Sequence, residues 1–305
     1  MLFDLIIINY NTPQLTIDCV NSALDTFKES EFNIIIIDNN STDNSVQIFR
    51  QRLKNVIVVE TKKSLSYAGA LNEGAKYSKS NLLILSNSDI VFLDNSIKNL
   101  IAPIMNDEAD ITGAQLLYSN MSWQASYHIF PGFILGLTDL FFINTIKRNL
   151  ARKFYRIAKH SQKKYKSVDY IDGAILAVNK TIFEQVGGFD TDFAFYSEET
   201  AFCYKAMKLG ARIYHIPSSV LIHYRGASYS MEKIPLSYLE KSIYSKLLFC
   251  NKFLSKFETK VFLVCEKYHF LSLHLLSRFY QHNDSKYGDN YYDIYKIWSK
   301  IIHEN

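Results

Sequence analysis

The first half of the chain alternates short apolar runs with amphipathic stretches. The apolar runs are rich in isoleucine, leucine and valine and lie at residues 5–8, 34–37, 56–59 and 82–85. Continuous apolar runs of this kind are typical of strands buried on both faces, as in a parallel sheet covered by helices. The pattern therefore predicts consecutive βαβ units and an α/β domain.

The stretches between these runs carry helix signals. Thr12 followed by Pro13 places a capping residue before proline at a first helical position. Ser41 and its neighbours predict the cap of a second helix that continues through Phe49, and residues 68–77 predict a third. These helices supply the connections that parallel strands require.

Polar residues follow three of the apolar runs directly: Asn9-Tyr10-Asn11, Asp38-Asn39-Asn40 and Asn87-Ser88-Asp89. Because ligands of open α/β sheets bind at the carboxyl ends of the strands, these residues predict a ligand site. Asp89 could hold a hard cation that bridges a diphosphate, although an aspartate that caps a loop is the better interpretation of this residue alone. The segment beginning at Asp38 could bind a nucleoside or form an Asx-rich turn, and the two readings are balanced.

Two further candidates lie in the second half. Glu198 and Glu199 precede a predicted helix over residues 200–209. Acidic residues there stabilise the helix dipole, but a carboxylate in a cleft could also accept the proton of an attacking hydroxyl. His223 follows another apolar run, and a lone histidine is more often structural than a ligand.

The pattern changes after about residue 115. Residues 129–146 are apolar and aromatic, and residues 147–166 contain nine lysines and arginines without an acidic residue. This segment predicts either contact with an anionic membrane or a solvated basic surface beside an acceptor. Apolar residues spaced three and four apart over 254–275 predict a helix that packs against the catalytic domain, with dimerisation or shallow membrane contact as alternatives.

Composition excludes several classes of protein. The 305 residues are 48% hydrophobic and 21% charged with a net charge of +4, as in ordinary globular proteins, and no basic–aromatic motif indicates nucleic acid. Four separated cysteines without zinc spacing indicate reduced thiols in a cytosolic protein. We expect no signal peptide, and we expect no membrane-spanning helix because no apolar run reaches the length of about 20 residues that a span requires. GxSxG, GxGxxG and Walker motifs are missing from the sequence, which disfavours serine hydrolases, dinucleotide enzymes and P-loop ATPases.

Seven ordered blocks carry a family resemblance: LIIINYNT, IIIIDNNSTDNS, YAGALNEGA, LLILSNSDI, YIDGAILAVNKTIFEQVGGFD, FAFYSEETAFCYKAMKLGARIYHIPSS and VLIHYRGAS. Over roughly residues 3–230 the chain resembles family 2 glycosyltransferases of the GT-A fold, in particular their rhamnosyltransferase-like branch. The resemblance implies a Rossmann-like mixed sheet with a helical C-terminal extension. The expected division is a catalytic domain over 1–235, with its nucleotide-sugar half at about 1–115 and its acceptor half at about 116–235, and a helical segment over 236–305.

The resemblance also implies roles for individual residues. The expected nucleotide-binding residues are Asn9, Tyr10, Asn11, Asp38, Asn40, Tyr67, Asn87 and Ser88. Asp89 and His223 are the expected ligands of Mg²⁺ or Mn²⁺, and Asp43 is expected to cap a helix. Glu199 occupies the position of the catalytic base, with Glu198 beside it and Asp172 in the donor-sugar and acceptor pocket.

The chain departs from the family pattern in three places. Residues 198–201 read Glu-Glu-Thr-Ala where relatives often have Glu-Asp-x-Asp, and residues 64–68 read Ser-Leu-Ser-Tyr-Ala where relatives often have Asn-x-Gly-Phe-Ala. Asp89 is the single carboxylate in its motif. These differences leave the donor and the metal affinity open.

The expected function is an inverting, metal-dependent transfer of a sugar from a nucleotide-diphosphate donor, with dTDP-rhamnose as the expected donor. The acceptor would be a glycan, including one linked to polyprenyl diphosphate, in bacterial surface polysaccharide synthesis such as that of O-antigen. The expected location is the cytoplasm, with peripheral contact between residues 129–166 and the inner face of the membrane. Two alternatives remain: a catalytically inactive binding or scaffold protein, and a sugar-nucleotide pyrophosphorylase.

Overall fold

The computed structural model describes residues 2–27, 31–158, 165–194, 196–224, 236–279 and 290–304. The chain forms two compact units. The first comprises residues 1–128, 155–194 and 198–229, and the second comprises 129–154, 195–197 and 230–305. Some of the predictions fall outside the described residues. These are the expected boundary at 235/236, the last part of the VLIHYRGAS block, and three lysines of the basic segment, Lys159, Lys163 and Lys164.

The first unit is built on a mixed sheet. Its strands are β1 (Phe3–Asn9), β2 (Phe32–Asp38), β3 (Val56–Glu60), β4 (Leu82–Asn87), β5 (Ile90–Phe92), β6 (Ile111–Leu117), β8 (Lys166–Ser167), β10 (Ile175–Asn179) and β11 (Ile213–His223); β7 (Tyr127–His128) and β9 (Tyr170–Ile171) form a separate pair. Its helices are α1 (Pro13–Thr26), α2 (Ser45–Arg52), α3 (Tyr67–Lys76), α4 (Ser96–Met105), α7 (Lys180–Val186) and α8 (Glu198–Lys208).

The sheet has the strand order β3-β2-β1-β4-β10-β6-β11-β5, with β8 beside β11. Strands β1 to β4 contain the four predicted apolar runs and pair in parallel, and every residue of β1 is buried. β10 is antiparallel to both β4 and β6. The α/β fold with a mixed sheet is thus confirmed, and its strands β1, β2 and β4 are buried along almost their whole length, as expected of central strands in a covered sheet.

The sheet register aligns the predicted polar clusters. Asn9 is the partner of Asp38 across β1 and β2, and Ile8 is the partner of Asn87 across β1 and β4. On the far side, His223 ends β11 opposite Ile90 of β5. Because β5 follows Asp89 directly, this pairing brings Asp89 next to His223.

A glycine in β6 positions the small β7–β9 pair. A Cβ on Gly113 would lie 2.1 Å from Cγ2 of Ile171, so only glycine at this position leaves room for the Ile171 side chain of β9 to pack on β6. The backbone N–H of Asp172 then donates to the carbonyl of Ser126 at 3.0 Å. Asp172 is therefore fixed by the packing of its neighbour and by a backbone hydrogen bond.

One helix prediction needs correction. The second helix begins at Ser45 rather than near Ser41, because the Ser41 hydroxyl instead accepts hydrogen bonds from the Asn9 amide and the Asn11 backbone. Asp43 accepts from the backbone N–H of Ser45 at 3.0 Å, as expected of a residue at a helix start.

The second unit is helical. It contains α5 (Phe133–Leu140), the greater part of α6 (Ile143–Ala158), α9 (Leu236–Phe253), α10 (Lys256–Phe279) and α11 (Tyr291–Glu304). Phe262 of α10 meets Trp298 of α11 edge-to-face at 6.2 Å, and both rings are fully buried. Among the described residues, none of the helices combines the length and the apolar character that crossing a bilayer requires.

The predicted packing seam of α10 is wrong. Phe257, Tyr268 and Leu275, three of its members, are 71%, 49% and 48% exposed. The buried face instead carries Thr259, Phe262, Leu263, Cys265, Glu266 and His269. α10 has apolar residues around much of its circumference, so the spacing in the sequence could not select the face that packs against α5 and α11.

Candidate active site

The carboxylate of Asp38 is held at the end of β2. One oxygen accepts from the Asn9 amide at 2.7 Å and the other from the backbone N–H of Ser41 at 2.9 Å. The side-chain oxygen Oδ1 of Asn9 in turn accepts hydrogen bonds from the hydroxyls of Thr12 and Thr16, at 3.1 and 2.8 Å. Asn9 is fully buried and committed to these contacts, so its role in the structure is to orient Asp38.

Other residues of this edge face outward. Tyr10 is 53% exposed, and Asn11 and Asn40 are exposed with left-handed backbones at φ 52° and 61°. Asparagine is among the side chains that tolerate this conformation best. Ser88 is buried, with its hydroxyl 3.0 Å from that of Thr12. The structure thus brings the predicted nucleotide-binding residues of β1, β2 and β4 to one edge, some of them exposed and some as buried supports.

Asp89 and His223 form a buried pair beyond this edge. The Oδ1 atom of Asp89 lies 3.4 Å from Nε2 of His223, and the two side chains are 5% and 7% exposed. The backbone N–H of Tyr224 donates to the Asp89 carbonyl at 3.0 Å, which fixes both residues at the β5–β11 junction. One carboxylate and one imidazole here form a donor set that suits a divalent cation.

Gln124 fixes the other side of the His223 ring, and the sequence did not reveal it. Its Oε1 lies 2.7 Å from Nδ1 of His223, and its Nε2 donates to the backbone carbonyl of His223 at 3.4 Å. A carbonyl can only accept, so the amide nitrogen must face it and Oε1 must face the ring. Nδ1 is therefore the ring nitrogen that faces Gln124, and Nε2 is the one that faces Asp89.

Three carboxyl groups gather on the other side of the site. Glu198 is 5% exposed, and its pKa is raised to about 7 because burial disfavours its charge and Asp172 adds repulsion. The pKa of Glu199 is also raised well above its usual value, first by burial and then by the charge of Glu198. Among the described residues, Oε2 of Glu199 is buried without a hydrogen-bond partner. A carboxylate with a raised pKa and a free oxygen is chemically suited to accept a proton.

Tyr67 lies between the two groups of acids. Its hydroxyl donates to the carbonyl of Gly173 at 3.3 Å. Burial raises the pKa of this hydroxyl, and the nearby charges of Glu198, Asp89, Glu199 and Asp172 raise it further. A Cβ on Gly173 would lie 3.3 Å from Cγ of Glu199, so the Asp172–Gly173 turn touches the start of α8. Tyr67 therefore stays a protonated hydrogen-bond donor to Gly173, within the electrostatic influence of both Asp89 and the carboxylate cluster.

His128 is a second residue that sequence reasoning missed. Its Nε2 lies 3.6 Å from Oδ2 of Asp172, and its ring stacks at a tilt on Tyr170 with 5.1 Å between centroids. The other Asp172 oxygen accepts from the backbone N–H of Ala174 at 3.1 Å. The signal was weak because His128 lies in a short strand that has no apolar periodicity of its own.

All the predicted site residues belong to the first unit. Among the described residues, no group of three or more His, Cys, Asp or Glu side chains is arranged to hold a metal ion. Asp89 and His223 nevertheless fit a cation of the kind that binds nucleotides, because such ions commonly take one or two side chains and fill the other positions with phosphate and water oxygens.

Comparisons of the sequence with known proteins identify its family. The family model of glycosyl transferase family 2 matches residues 4–187. The N-acetylglucosaminyl-diphospho-decaprenol L-rhamnosyltransferase of Mycobacterium tuberculosis is 25% identical over 230 residues, which cover 72% of this chain and 74% of the relative. The O-antigen biosynthesis protein RfbC of Myxococcus xanthus is 23% identical over 236 residues, which cover 73% of this chain and 17% of RfbC.

Two solved structures share the fold. The mannosyltransferase PcManGT of Pyrobaculum calidifontis, in complex with GDP-Man and Mn²⁺, aligns with a TM-score of 0.64 and 12% identity over 99% of this chain and 86% of that chain. GalNAc-T7, with UDP, GalNAc and Mn²⁺, aligns with a TM-score of 0.63 and 12% identity over 97% of this chain and 57% of that chain. The fold is therefore GT-A. Since the family model covers more than half of the sequence, this chain belongs to glycosyl transferase family 2.

Proposed function

We propose that this glycosyltransferase is an inverting, metal-dependent enzyme that moves a sugar from a nucleotide-diphosphate donor to a hydroxyl of a glycan. The observation that carries the proposal is the juxtaposition of two groups at one edge of the sheet. Asp89 with His223 forms the cation-binding side, and Glu199 with Glu198 and Asp172 forms the proton-accepting side. Tyr67 interacts with both.

The division of labour follows from these positions. Asp38, oriented by Asn9, is placed to accept hydrogen bonds from a nucleoside, and Tyr10 is exposed for stacking on a base. Asp89 and His223 would hold Mn²⁺ or Mg²⁺, which would stabilise the negative charge that grows on the departing diphosphate. Glu199 takes the proton from the acceptor hydroxyl as that oxygen attacks the anomeric carbon opposite the nucleotide. One in-line displacement inverts the anomeric configuration.

The donor and acceptor are proposed from the relatives. The Mycobacterium tuberculosis relative is named as an L-rhamnosyltransferase that acts on N-acetylglucosaminyl-diphospho-decaprenol, and the Myxococcus relative as an O-antigen biosynthesis protein. These names support dTDP-rhamnose as donor and a sugar linked to polyprenyl diphosphate as acceptor, in surface polysaccharide assembly. Such an acceptor lies at the membrane, so we include peripheral contact through residues 129–166 at the cytoplasmic face.

The first test is thermal melting of the purified protein with free nucleotides and nucleotide-sugars, each with Mn²⁺ or with EDTA. A ligand that binds only the folded state raises the melting temperature by mass action. We expect a shift with dTDP compounds that needs Mn²⁺ and is lost in Asp89→Ala. The matched control is Asp94→Ala, which removes an exposed aspartate just after β5.

The second test measures transfer to a synthetic N-acetylglucosaminyl-diphospho-lipid, with the anomeric configuration of the product read by NMR. Glu199→Gln should lower kcat by 10²-fold or more, since general-base catalysis contributes about that much. Glu184→Gln, an exposed glutamate on α7, is the control. Binding without transfer or donor hydrolysis would favour the scaffold alternative. Formation of nucleotide-sugar from a sugar phosphate would favour the pyrophosphorylase.

A further inference from the structure

Helix α6 carries an apolar stripe on the face turned away from its own helical unit. Ile143, Ile146 and Leu150 are spaced three and four residues apart and are 40%, 56% and 48% exposed. Asn144 is buried and donates to Asp139 of α5 at 2.8 Å. At about 100° per residue, Asn144 lies roughly 100–160° around the helix from the stripe. The stripe is therefore a solvent-facing surface and not part of the core.

Further exposed apolar side chains lie on α5 and on the turn that leads into α6. Ile134 is 67% exposed, Phe141 is 65% exposed and Phe133 is 46% exposed. Isolated exposed apolar residues are ordinary, but several on consecutive elements mark an interaction site. We name these three residues together with Ile143, Ile146 and Leu150 the α5–α6 surface.

Positive charge borders the stripe. Lys147 and Lys153 are exposed and lie on either side of it by the helical spacing. The sequence of α6 contains no acidic residue, and Asp139, the acid of α5, is engaged by Asn144. An amphipathic helix with large apolar residues on one face and lysines beside them is suited to the interface of an anionic bilayer.

We propose that the α5–α6 surface docks on an anionic lipid bilayer, with its apolar side chains in the headgroup boundary and Lys147 and Lys153 against acidic headgroups. The charge pattern favours lipid over a second copy of this chain, because two such surfaces would bring lysines against lysines. The proposed lipid-linked acceptor gives this docking a purpose, and only in that respect does the inference rest on the proposed function.

The experiment is cosedimentation of the full chain with vesicles of phosphatidylcholine containing phosphatidylglycerol, without donor, acceptor or metal. We expect binding to anionic vesicles and little to pure phosphatidylcholine. Lys147→Glu with Lys153→Glu should weaken binding by at least fivefold per lysine, since each basic residue near the surface contributes about 1 kcal/mol. Ile146→Ser with Leu150→Ser should abolish it.

Matched controls are Lys54→Glu with Lys98→Glu, and Met105→Ser, which change exposed residues of the first unit. Circular dichroism and the melting temperature establish that each variant is folded. Equal binding by the controls and the α5–α6 variants would overturn the proposal. So would a dimer of the wild-type chain that the Ile146/Leu150 variant loses while vesicle binding is absent. A catalytically inactive protein that still binds vesicles would contradict the proposed function alone.

A different observation carries a second inference, which concerns Gln124. The segment that bears it is anchored by the backbone hydrogen bond from Gln124 N–H to Leu116 O at 3.0 Å and by the bridge between Leu117 and Trp123. Gln124 is fully buried, so its amide cannot reorient into solvent. We infer that Gln124 is a positioning residue that holds the His223 ring with Nε2 facing Asp89, where a divalent cation would bind.

Two readouts test this role. In metal-free protein, ¹⁵N NMR of His223 should report the Nδ1–H form in the wild type and a mixture in Gln124→Met. Mn²⁺ binding, measured by electron paramagnetic resonance, should be about 10–100-fold weaker in Gln124→Met, as is typical when a partner of a metal-binding histidine is removed. Gln124→Glu keeps an acceptor for Nδ1–H and should retain the tautomer and the affinity.

Gln115→Met is the matched control, because Gln115 is a buried glutamine on the neighbouring strand β6 and donates to Leu116 O, Gln124 O and Ser126 Oγ but not to His223. A role in packing alone would make the two methionine variants equivalent in both readouts. That equivalence, or an Nε2–H form in the wild type, would overturn the inference.

Discussion

The carboxyl groups of Asp172, Glu198 and Glu199 lie close enough for their charges to repel one another. Burial and this repulsion raise the pKa of Glu198 from 4.5 to about 7, and they raise the pKa of Glu199 well above its usual value. The metal-free protein therefore holds protons at neutral pH that exposed glutamates would have lost. A cation or a cationic group near the cluster would favour their release.

The raised pKa of Glu198 predicts a pH-dependent stability. A group whose pKa is higher in the folded state stabilises the fold fully below its unfolded value, near 4.5, and this contribution is lost as the pH rises through about 7. Glu198→Gln should therefore be more stable than the wild type at pH 8, by on the order of 3 kcal/mol, and nearly equal to it at pH 4.5. Urea unfolding in EDTA at the two pH values measures the difference, and a pH-independent difference would contradict it.

Individual site residues could be predicted from the sequence when they lie at the end of a strand. Asp38, Asp89 and His223 were identifiable because each follows or ends an apolar run. Gln124 was not, because its importance comes from contacts with residue 223, far away in the chain. Polar networks between distant segments leave no periodic signal in one sequence.

Among the elements, β1 combines apolar burial with one buried charge. Asp4 is fully buried, yet it accepts hydrogen bonds from five donors: Asn33 Nδ2, Ser78 Oγ, Lys79 N, Ser80 N and Ser80 Oγ. Burial alone would raise its pKa, but the hydrogen bonds from Ser78, Ser80 and Asn33 together lower it below the usual value. Asp4 thus fastens β1 to β2 and to the segment that precedes β4.

Asp4→Asn should destabilise the protein by about 2–4 kcal/mol at pH 7, because it removes a charged acceptor and leaves buried donors unpaired. A lowered pKa contributes stability above its unfolded value that is lost as the pH falls through the folded value, so the effect should shrink below pH 4. Denaturant unfolding at pH 7 and pH 3.5 checks both statements. Asp94→Asn, an exposed change, should be neutral at both.

The elements differ in how well their pattern identifies them. Strands β1, β2 and β4 were predicted because both of their faces are buried, which leaves an apolar run in each. β3 was predicted from its apolar run although it is only partly buried at the end of the strand order. The face of α10 was predicted wrongly, because its apolar residues surround the helix and Gly136 decides which side packs. A Cβ there would lie 3.0 Å from Cβ of Cys265, so α5 approaches α10 at this point.

On the scale of the whole molecule, the chain is not divided in sequence order. Residues 129–154 leave the first unit and belong to the same compact unit as the C-terminal helices. A structural defect in α5 should therefore be transmitted to a region more than a hundred residues away in the chain. The proposed catalytic groups belong to the other unit, as does Asp4.

Gly136→Val tests this division. The added side chain would press on Cys265 and on the Phe262 backbone, 3.4 Å from the built Cβ, and should destabilise the second unit by about 1–3 kcal/mol. Hydrogen exchange followed by mass spectrometry should show faster exchange in residues 133–140 and 256–279 together, with β1 to β4 unchanged. Asp4→Asn should produce the reverse pattern. Loss of protection confined to 133–140 would contradict a shared unit.

The long excursion between β6 and β10 has a consequence for how such enzymes diversify. Residues 118–174 connect β6 to its antiparallel neighbour β10, and within this connection the segment between β7 and β8 leads from the β7–β9 pair back to the main sheet. The entropy of closing a loop grows slowly, by about 0.6 kcal/mol for each doubling of its length. Segments of quite different size could therefore be exchanged between β7 and β8 while Gln124, Asp172 and the strands of the sheet stay in place. Recombination at these two strand ends offers a route to chimaeric enzymes that keep one sugar nucleotide and acquire a new acceptor.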